Sequence, residues 1–151
     1  MIDGIRLHPL KKNCDERGYL MEILRRDYEI YQDFAMVYVS KNYPGVVRAW
    51  HYHKLQDDFF CCISGMIKVA AYDAREGSPT QGQVQDFVMG EDHPLLLRIP
   101  MGVYHGYKTI GTIPSLLLNF PTKLYDHNNP DEYRVAWDHP SIPYSWDIQF
   151  K

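Results

Sequence analysis

The sequence predicts an all-β protein, a sandwich or closed barrel of short strands. Three observations carry that expectation. Strand-like runs follow one another with Gly, Pro or Asn between them. A single stretch, residues 25–33, reads as helix, and only for about two turns. The chain also carries 12 Tyr, 6 Phe and 3 Trp, side chains that suit a pleated, half-buried surface. Many short strands at regular spacing with little helix argue for two packed or closed sheets.

In order along the chain, strands are expected at residues 18–24, 35–41, 46–53, 58–64, 66–74, 83–89, 95–99, 103–107 and 115–120. Turn chemistry separates them. Asn42-Tyr-Pro-Gly45 closes the second, Ser64-Gly65 divides the fourth from the fifth, and Arg75-Glu-Gly-Ser-Pro79 ends the fifth. Gly90-Glu-Asp92, Pro100-Met-Gly102 and Gly111-Thr-Ile-Pro114 mark the later turns. The tail from Asp126, rich in Pro, Asn, Asp and Trp, is expected to wrap the barrel without regular structure. No repeat or linker divides the chain, so residues 1–151 are read as one domain.

Composition excludes several functions. A net charge of −3 gives no electrostatic case for nucleic acid or an anionic membrane, so an anionic ligand needs a local cluster of Arg and Lys. The cysteines are Cys14, Cys61 and Cys62; the adjacent pair points to opposite strand faces and makes a poor disulfide. There is no Cys-x-x-Cys, which removes zinc ribbons and thioredoxin-type chemistry. Without a signal-like apolar run or a span of membrane length, the chain reads as reduced, soluble and cytoplasmic.

The segment Gly45-Val-Val-Arg48-Ala-Trp-His51-Tyr-His53-Lys-Leu-Gln-Asp57-Asp58, with Pro100-Met-Gly102-Val-Tyr-His105 later, carries the chemistry. His51 and His53, spaced i and i+2, share one strand face. With Asp58 and His105 they offer three nitrogens and an oxygen, a set that suits Zn²⁺, Fe²⁺, Mn²⁺ or Ni²⁺ or else moves protons. Strict alternation leaves Arg48 on the opposite face, and a bulge or a curled strand end is needed to bring it beside His51.

The spacing Gly-x5-His-x-His-x4-Asp-x6-Gly with Pro-x-Gly-x2-His resembles the two motifs of the cupin superfamily, with Glu shortened to Asp. A more specific resemblance spans residues 13–147. Asp15-Glu-Arg17-Gly18-Tyr-Leu-Met-Glu22, Gly45 to Tyr52, Asp73 to Thr80, Pro100 to Gly106 and Trp137 to Trp146 are similar to the dTDP-4-dehydrorhamnose 3,5-epimerase family. That resemblance implies a cupin double-stranded β-helix (jelly-roll) barrel, a homodimer through N-terminal strands, no required cofactor, and a dTDP-type nucleotide-linked sugar as substrate. It implies inversion of carbons flanking a 4-keto group. It places the general base on His51 and a second pocket histidine on His105. Arg17 and Arg48 fall on phosphate-binding arginines, and Glu22 on a residue near the base and sugar.

Departures accompany the matches. The family's catalytic tyrosine aligns with Asn119, read as a substrate contact because an amide cannot supply a proton. The pocket lysine aligns with Asp58, its acidic partner with Val69, and a glutamine of the preceding strand with Met36. The acid that orients the base falls beyond Lys151. Tyr38, Tyr104, Tyr107 and Tyr125 are candidate replacement acids. Exchanging a lysine for an acid beside His53 points toward metal binding by His51, His53, Asp58 and His105. Nucleotide-sugar 3,4-ketoisomerases share Arg-x-x-His-x-His-Lys, as Arg48 to Lys54 reads here, and use those histidines for proton transfer without an ion. Three readings stay open: a nucleotide-sugar epimerase or isomerase with metal assistance as an added element, a metal-dependent cupin dioxygenase or lyase, and a non-catalytic nucleotide-sugar binder.

Overall fold

The structure, a computed structural model, describes residues 1–149; the last two positions of the expected 1–151 domain lie outside the described residues. All regular structure described is strand. One five-stranded sheet runs β1 (Arg6–Pro9), β9 (Leu95–Ile99), β6 (Asp58–Ser64), β11 (Ser115–Asn119) and β4 (Tyr38–Asn42). The second runs β12 (Tyr133–Arg134), β5 (Val47–Tyr52), β10 (Tyr104–Ile110), β7 (Met66–Tyr72) and β8 (Val84–Gly90). A separate hairpin pairs β2 (Lys12–Asp15) with β3 (Gly18–Met21). Every pairing is antiparallel, and most neighbours are distant in sequence, which is jelly-roll wiring.

Strand alternation sorts the apolar residues into three layers. Phe60 and Cys62 enter the core between the sheets with Val69, Leu97, Val103, Tyr107 and Leu117. Phe59 and Cys61, one step out of phase, face the other side of β6 and pack with Leu10, Ile30 and Leu96. Burying a side chain of Phe size contributes about 1.5–3 kcal/mol, so both faces of β6 need a cover. Because Cys61 and Cys62 point apart, both thiols are free and buried.

That cover explains why residues 25–33 are not the expected helix. They make two separate turns, with Tyr28 N donating to Arg25 O and Tyr31 N to Tyr28 O, at 3.2 and 2.9 Å. A helix this short is marginal in water. Laid across the sheet instead, the segment buries Ile30 at 5% exposure and stacks Tyr28 on His8 with ring centroids 4.0 Å apart.

On the outer face of the second sheet, Trp50 packs with Ala70, Ile142 and Trp146. The Trp50 and Trp146 indole N–H groups both donate to Trp137 O, at 3.1 and 3.2 Å, tying the tail down. The tail is irregular, as expected, except at β12. Pairing corrects other boundaries: the first expected strand ends at Met21, the second starts at Tyr38, and the eighth extends to Ile110. β1, β2 and β12 went unread because each is at most four residues and largely polar, and a partner strand defines it.

Candidate active site

A β-bulge sets the geometry of the site. On β10, Gly106 alone separates His105 from Tyr107; on β5, Ala49 and Trp50 separate their partners His51 and Arg48. Two residues facing one shift the pleat by a step, so Arg48 and His51 point the same way. The bulge needs a residue without a side chain opposite it. A Cβ on Gly106 would lie 2.6 Å from Arg48 O and 2.7 Å from Ala49 Cα. Asn42, buried, then fixes the arginine: its Oδ1 accepts from Arg48 Nε at 2.9 Å while its Nδ2 donates to Val46 O at 2.8 Å.

Arg48 and His51 line a cavity of about 400 Å³ between the two sheets, with Tyr38, Ser40, Phe60, Tyr107, Glu132 and Arg134. That volume lies within the usual range for small-molecule sites. The Tyr107 hydroxyl is buried there beside Ser40.

Behind His51 the other residues of the expected cluster converge. Ligand atoms of His51, His53, Asp58 and His105 all lie within 4.8 Å of one another. The His51 and His105 ring centroids are 4.2 Å apart. His105 Nδ1 meets Val103 O at 2.9 Å, and His53 Nδ1 meets Asp131 O. A carbonyl only accepts, so both Nδ1 atoms are donors. Both Nε2 atoms therefore turn to one oxygen, Asp58 Oδ2, at 3.2 Å from His105 and 3.3 Å from His53. Asp58 Oδ1 accepts from Gln56 Nε2 at 3.0 Å.

Electrostatics separate the members of the cluster. Burial lowers the His51 pKa well below 6.5, and His105 adds to that, so its imidazole is neutral at neutral pH. For Asp58, burial pulls upward, but the bonds from His105 and His53 prevail and hold the carboxyl far below its usual range. Burial also opposes the charged form of His53, yet the Asp58 carboxylate outweighs it and raises that pKa.

Other expected residues stand elsewhere. Arg17, with 85% of its side chain exposed, sits on the β2–β3 hairpin and pairs with Asp15. Glu22 is exposed and pairs with Arg25 at 2.6 Å. Neither lines the cavity. Asn119 is buried and spends its amide on the protein: Oδ1 accepts from Phe59 N at 3.1 Å and Nδ2 donates to Tyr38 OH at 2.9 Å. Asn119, expected as a substrate contact, stands behind Tyr38 and is not among the residues lining the cavity. Residue reading missed Ser40, Glu132 and Arg134. Arg134 enters the site only because β12 pairs it with His51, a register no local pattern announces.

Comparison with known proteins agrees with this architecture. The family model described as dTDP-4-dehydrorhamnose 3,5-epimerase matches residues 1–151. The chain is 48% identical over 150 residues to the probable low-salt glycan biosynthesis epimerase Agl13 of Haloferax volcanii, covering 98% of this chain and 96% of that one. It is 42% identical over 151 residues, the full length of both chains, to the spore coat polysaccharide biosynthesis protein SpsL of Bacillus subtilis. A dTDP sugar isomerase from Desulfovibrio desulfuricans superposes with a TM-score of 0.90 at 34% identity, over 96% of this chain and 92% of that one. Among the described residues, no helix is long and apolar enough to cross a membrane.

Proposed function

We propose that this chain, which belongs to the dTDP-4-dehydrorhamnose 3,5-epimerase family, inverts a carbon beside the 4-keto group of a dTDP-type sugar, with His51 as general base. One observation carries the reading: His51 is the member of the histidine cluster that lines the cavity, and burial keeps it neutral. A hydrogen α to a ketone leaves as a proton to the imidazole while the bonding pair moves onto the carbonyl oxygen, giving an enolate. Arg48 and Arg134 are the cations on the cavity wall, suited to the enolate or the diphosphate. His105, packed against His51 and tied to Asp58 and His53, steadies the ring and the charge it gains.

A specific observation favours a divalent ion as a second element. With both Nδ1 atoms donating to carbonyls, the Nε2 atoms of His53 and His105 face one carboxylate oxygen, an arrangement that needs protons or a cation between them. Metal-ligating histidines commonly donate their other N–H to a carbonyl in this way. His53, Asp58 and His105, with His51 beside them, suit Zn²⁺, Fe²⁺, Mn²⁺ or Ni²⁺. Such an ion would supply Lewis-acid stabilisation of the enolate.

Arg17 fits a phosphate-binding role only from a second copy, since its own hairpin stands away from the cavity. We therefore include a homodimer in the proposal, tested by mass in solution and by the effect of Arg17→Ala on dTDP binding.

The decisive experiment is deuterium wash-in at the carbons flanking the keto group of a dTDP-4-keto-6-deoxyhexose. Exchange that vanishes in His51→Ala supports the epimerase. Thermal stabilisation by dTDP with no exchange instead supports a binder. Stoichiometric iron with oxygen uptake supports the dioxygenase. Metal content well below one equivalent in protein purified without added ions removes the ion.

A further inference from the structure

We infer that Tyr38 is the acid that returns the proton to the face of the sugar opposite His51, and that Asn119 aims its hydroxyl. The inference rests on the epimerase reading and adds a catalytic residue to it.

The topology supplies the first part of the argument. Inversion needs a proton removed from one face of a carbon and delivered to the other. His51 stands on β5 in one sheet, and Tyr38 stands on β4, at the edge of the other sheet. Both line the cavity between the sheets, so a sugar held there has one on each side. Tyr107 lies on β10, beside His51 in the same sheet, and Glu132 directly precedes β12, the strand paired with β5. Those groups share the base's wall. On the Tyr38 wall the other lining residues are Ser40, Phe60 and Leu117. Phe and Leu carry no proton to give, and an alkyl hydroxyl is a far weaker acid than a phenol.

Hydrogen bonding supplies the second part. Phe59 N–H donates to Asn119 Oδ1 at 3.1 Å, which fixes the orientation of the amide. Nδ2 must then be the atom that donates to Tyr38 OH at 2.9 Å. With the amide as donor, the phenol is the acceptor in that bond, and its own hydrogen points elsewhere. The bond is also in register: Asn119 and Tyr38 are direct partners on β11 and β4. At 45% exposure Tyr38 sits at the rim, where solvent can exchange its proton.

The step balances. The Tyr38 O–H bond breaks as a C–H bond forms on the enolate carbon. The enolate electron pair makes that bond while the carbonyl re-forms. The phenolate keeps the O–H pair and is stabilised by the Asn119 amide donor. Solvent then reprotonates Tyr38 and takes the proton from His51.

The test is Tyr38→Phe in the full chain, with a dTDP-4-keto-6-deoxyhexose in deuterated water. We expect wash-in to continue with retention, because His51 can return a deuteron to the face it came from. Inverted product falls at least about a hundredfold, in kcat with KM unchanged. dTDP stabilises the variant thermally as it does the unaltered protein, which excludes a folding defect. Inversion at the unaltered rate by Tyr38→Phe overturns this proposal alone. Loss of both wash-in and inversion, with dTDP binding intact, also overturns it, because Tyr38 would then be needed for proton removal. Absence of wash-in with the unaltered protein overturns the epimerase reading, and the assignment of Tyr38 with it.

Discussion

Replacing Gly106 with Ala tests whether the bulge makes the site. The added Cβ would sit 2.6 Å from Arg48 O and 2.7 Å from Ala49 Cα, both backbone atoms, so β5 must move away from β10. Overpacking of this kind costs about 1–3 kcal/mol. The loss of chain freedom on going from Gly to Ala recovers about 0.4–1 kcal/mol through the unfolded state. The net expectation is a destabilisation of about 1–2 kcal/mol, or a fall in Tm of roughly 3–8 °C for a chain of this length. Activity falls further than stability. Arg48 and His51 flank the bulged residues, and a shift of ~1 Å at a base costs about a hundredfold in rate. Thermal denaturation followed by deuterium wash-in on the folded variant measures both effects. Ala49→Gly in the same chain removes a methyl from the clash but leaves the Arg48 carbonyl in place, so it restores only part of each loss. Unaltered Tm and full wash-in for Gly106→Ala would refute the claim that close approach at this glycine holds Arg48 and His51 in phase.

Three further outcomes follow from charge and burial. Because burial lowers the His51 pKa, the base stays deprotonated in mild acid, and the acid limb of kcat/KM for wash-in should fall below pH 6.5. Asp73 is held below the usual carboxylate range by Arg75, against burial, with Ser78 and Thr80 adding to the effect. A lowered folded-state pKa means stability present above the unfolded value of about 3.9 and lost as pH falls through the folded one. Urea midpoints measured from pH 5 to pH 2 should therefore drop more steeply for the unaltered protein than for Asp73→Asn. Finally, Asp57 accepts from Arg98 Nε and Nη2 at 2.9 and 2.6 Å and from Met101 N at 2.9 Å. Asp57→Ala should cost about 2–3 kcal/mol in urea denaturation and loosen the turn that precedes His105.

Much of this was written locally. Alternating and apolar runs located β6 and β9 to the residue, because those strands are buried on one or both faces and bounded by Gly, Pro or Ser. The histidine cluster was legible for the same reason: His51 and His53 share a face by period, and His105 follows a Pro-x-Gly turn. Residues 25–33 misled, since a two-turn apolar pattern also fits a strap that lays Ile30 on the back of β6. The roles of Arg17 and Glu22 came from resemblance, and neither side chain reaches the cavity within this chain.

What the amino-acid order determined by itself was the class of fold, the four side chains that converge and the turn that carries His105. These depend on periodicity and turn chemistry, which act over a few residues. Only the tertiary structure decided that Arg48 turns in beside His51, that Arg134 joins them, and that Asn119 holds Tyr38 on the facing wall. Each of those results from a register between strands far apart in sequence, and register is set by the packing of whole sheets.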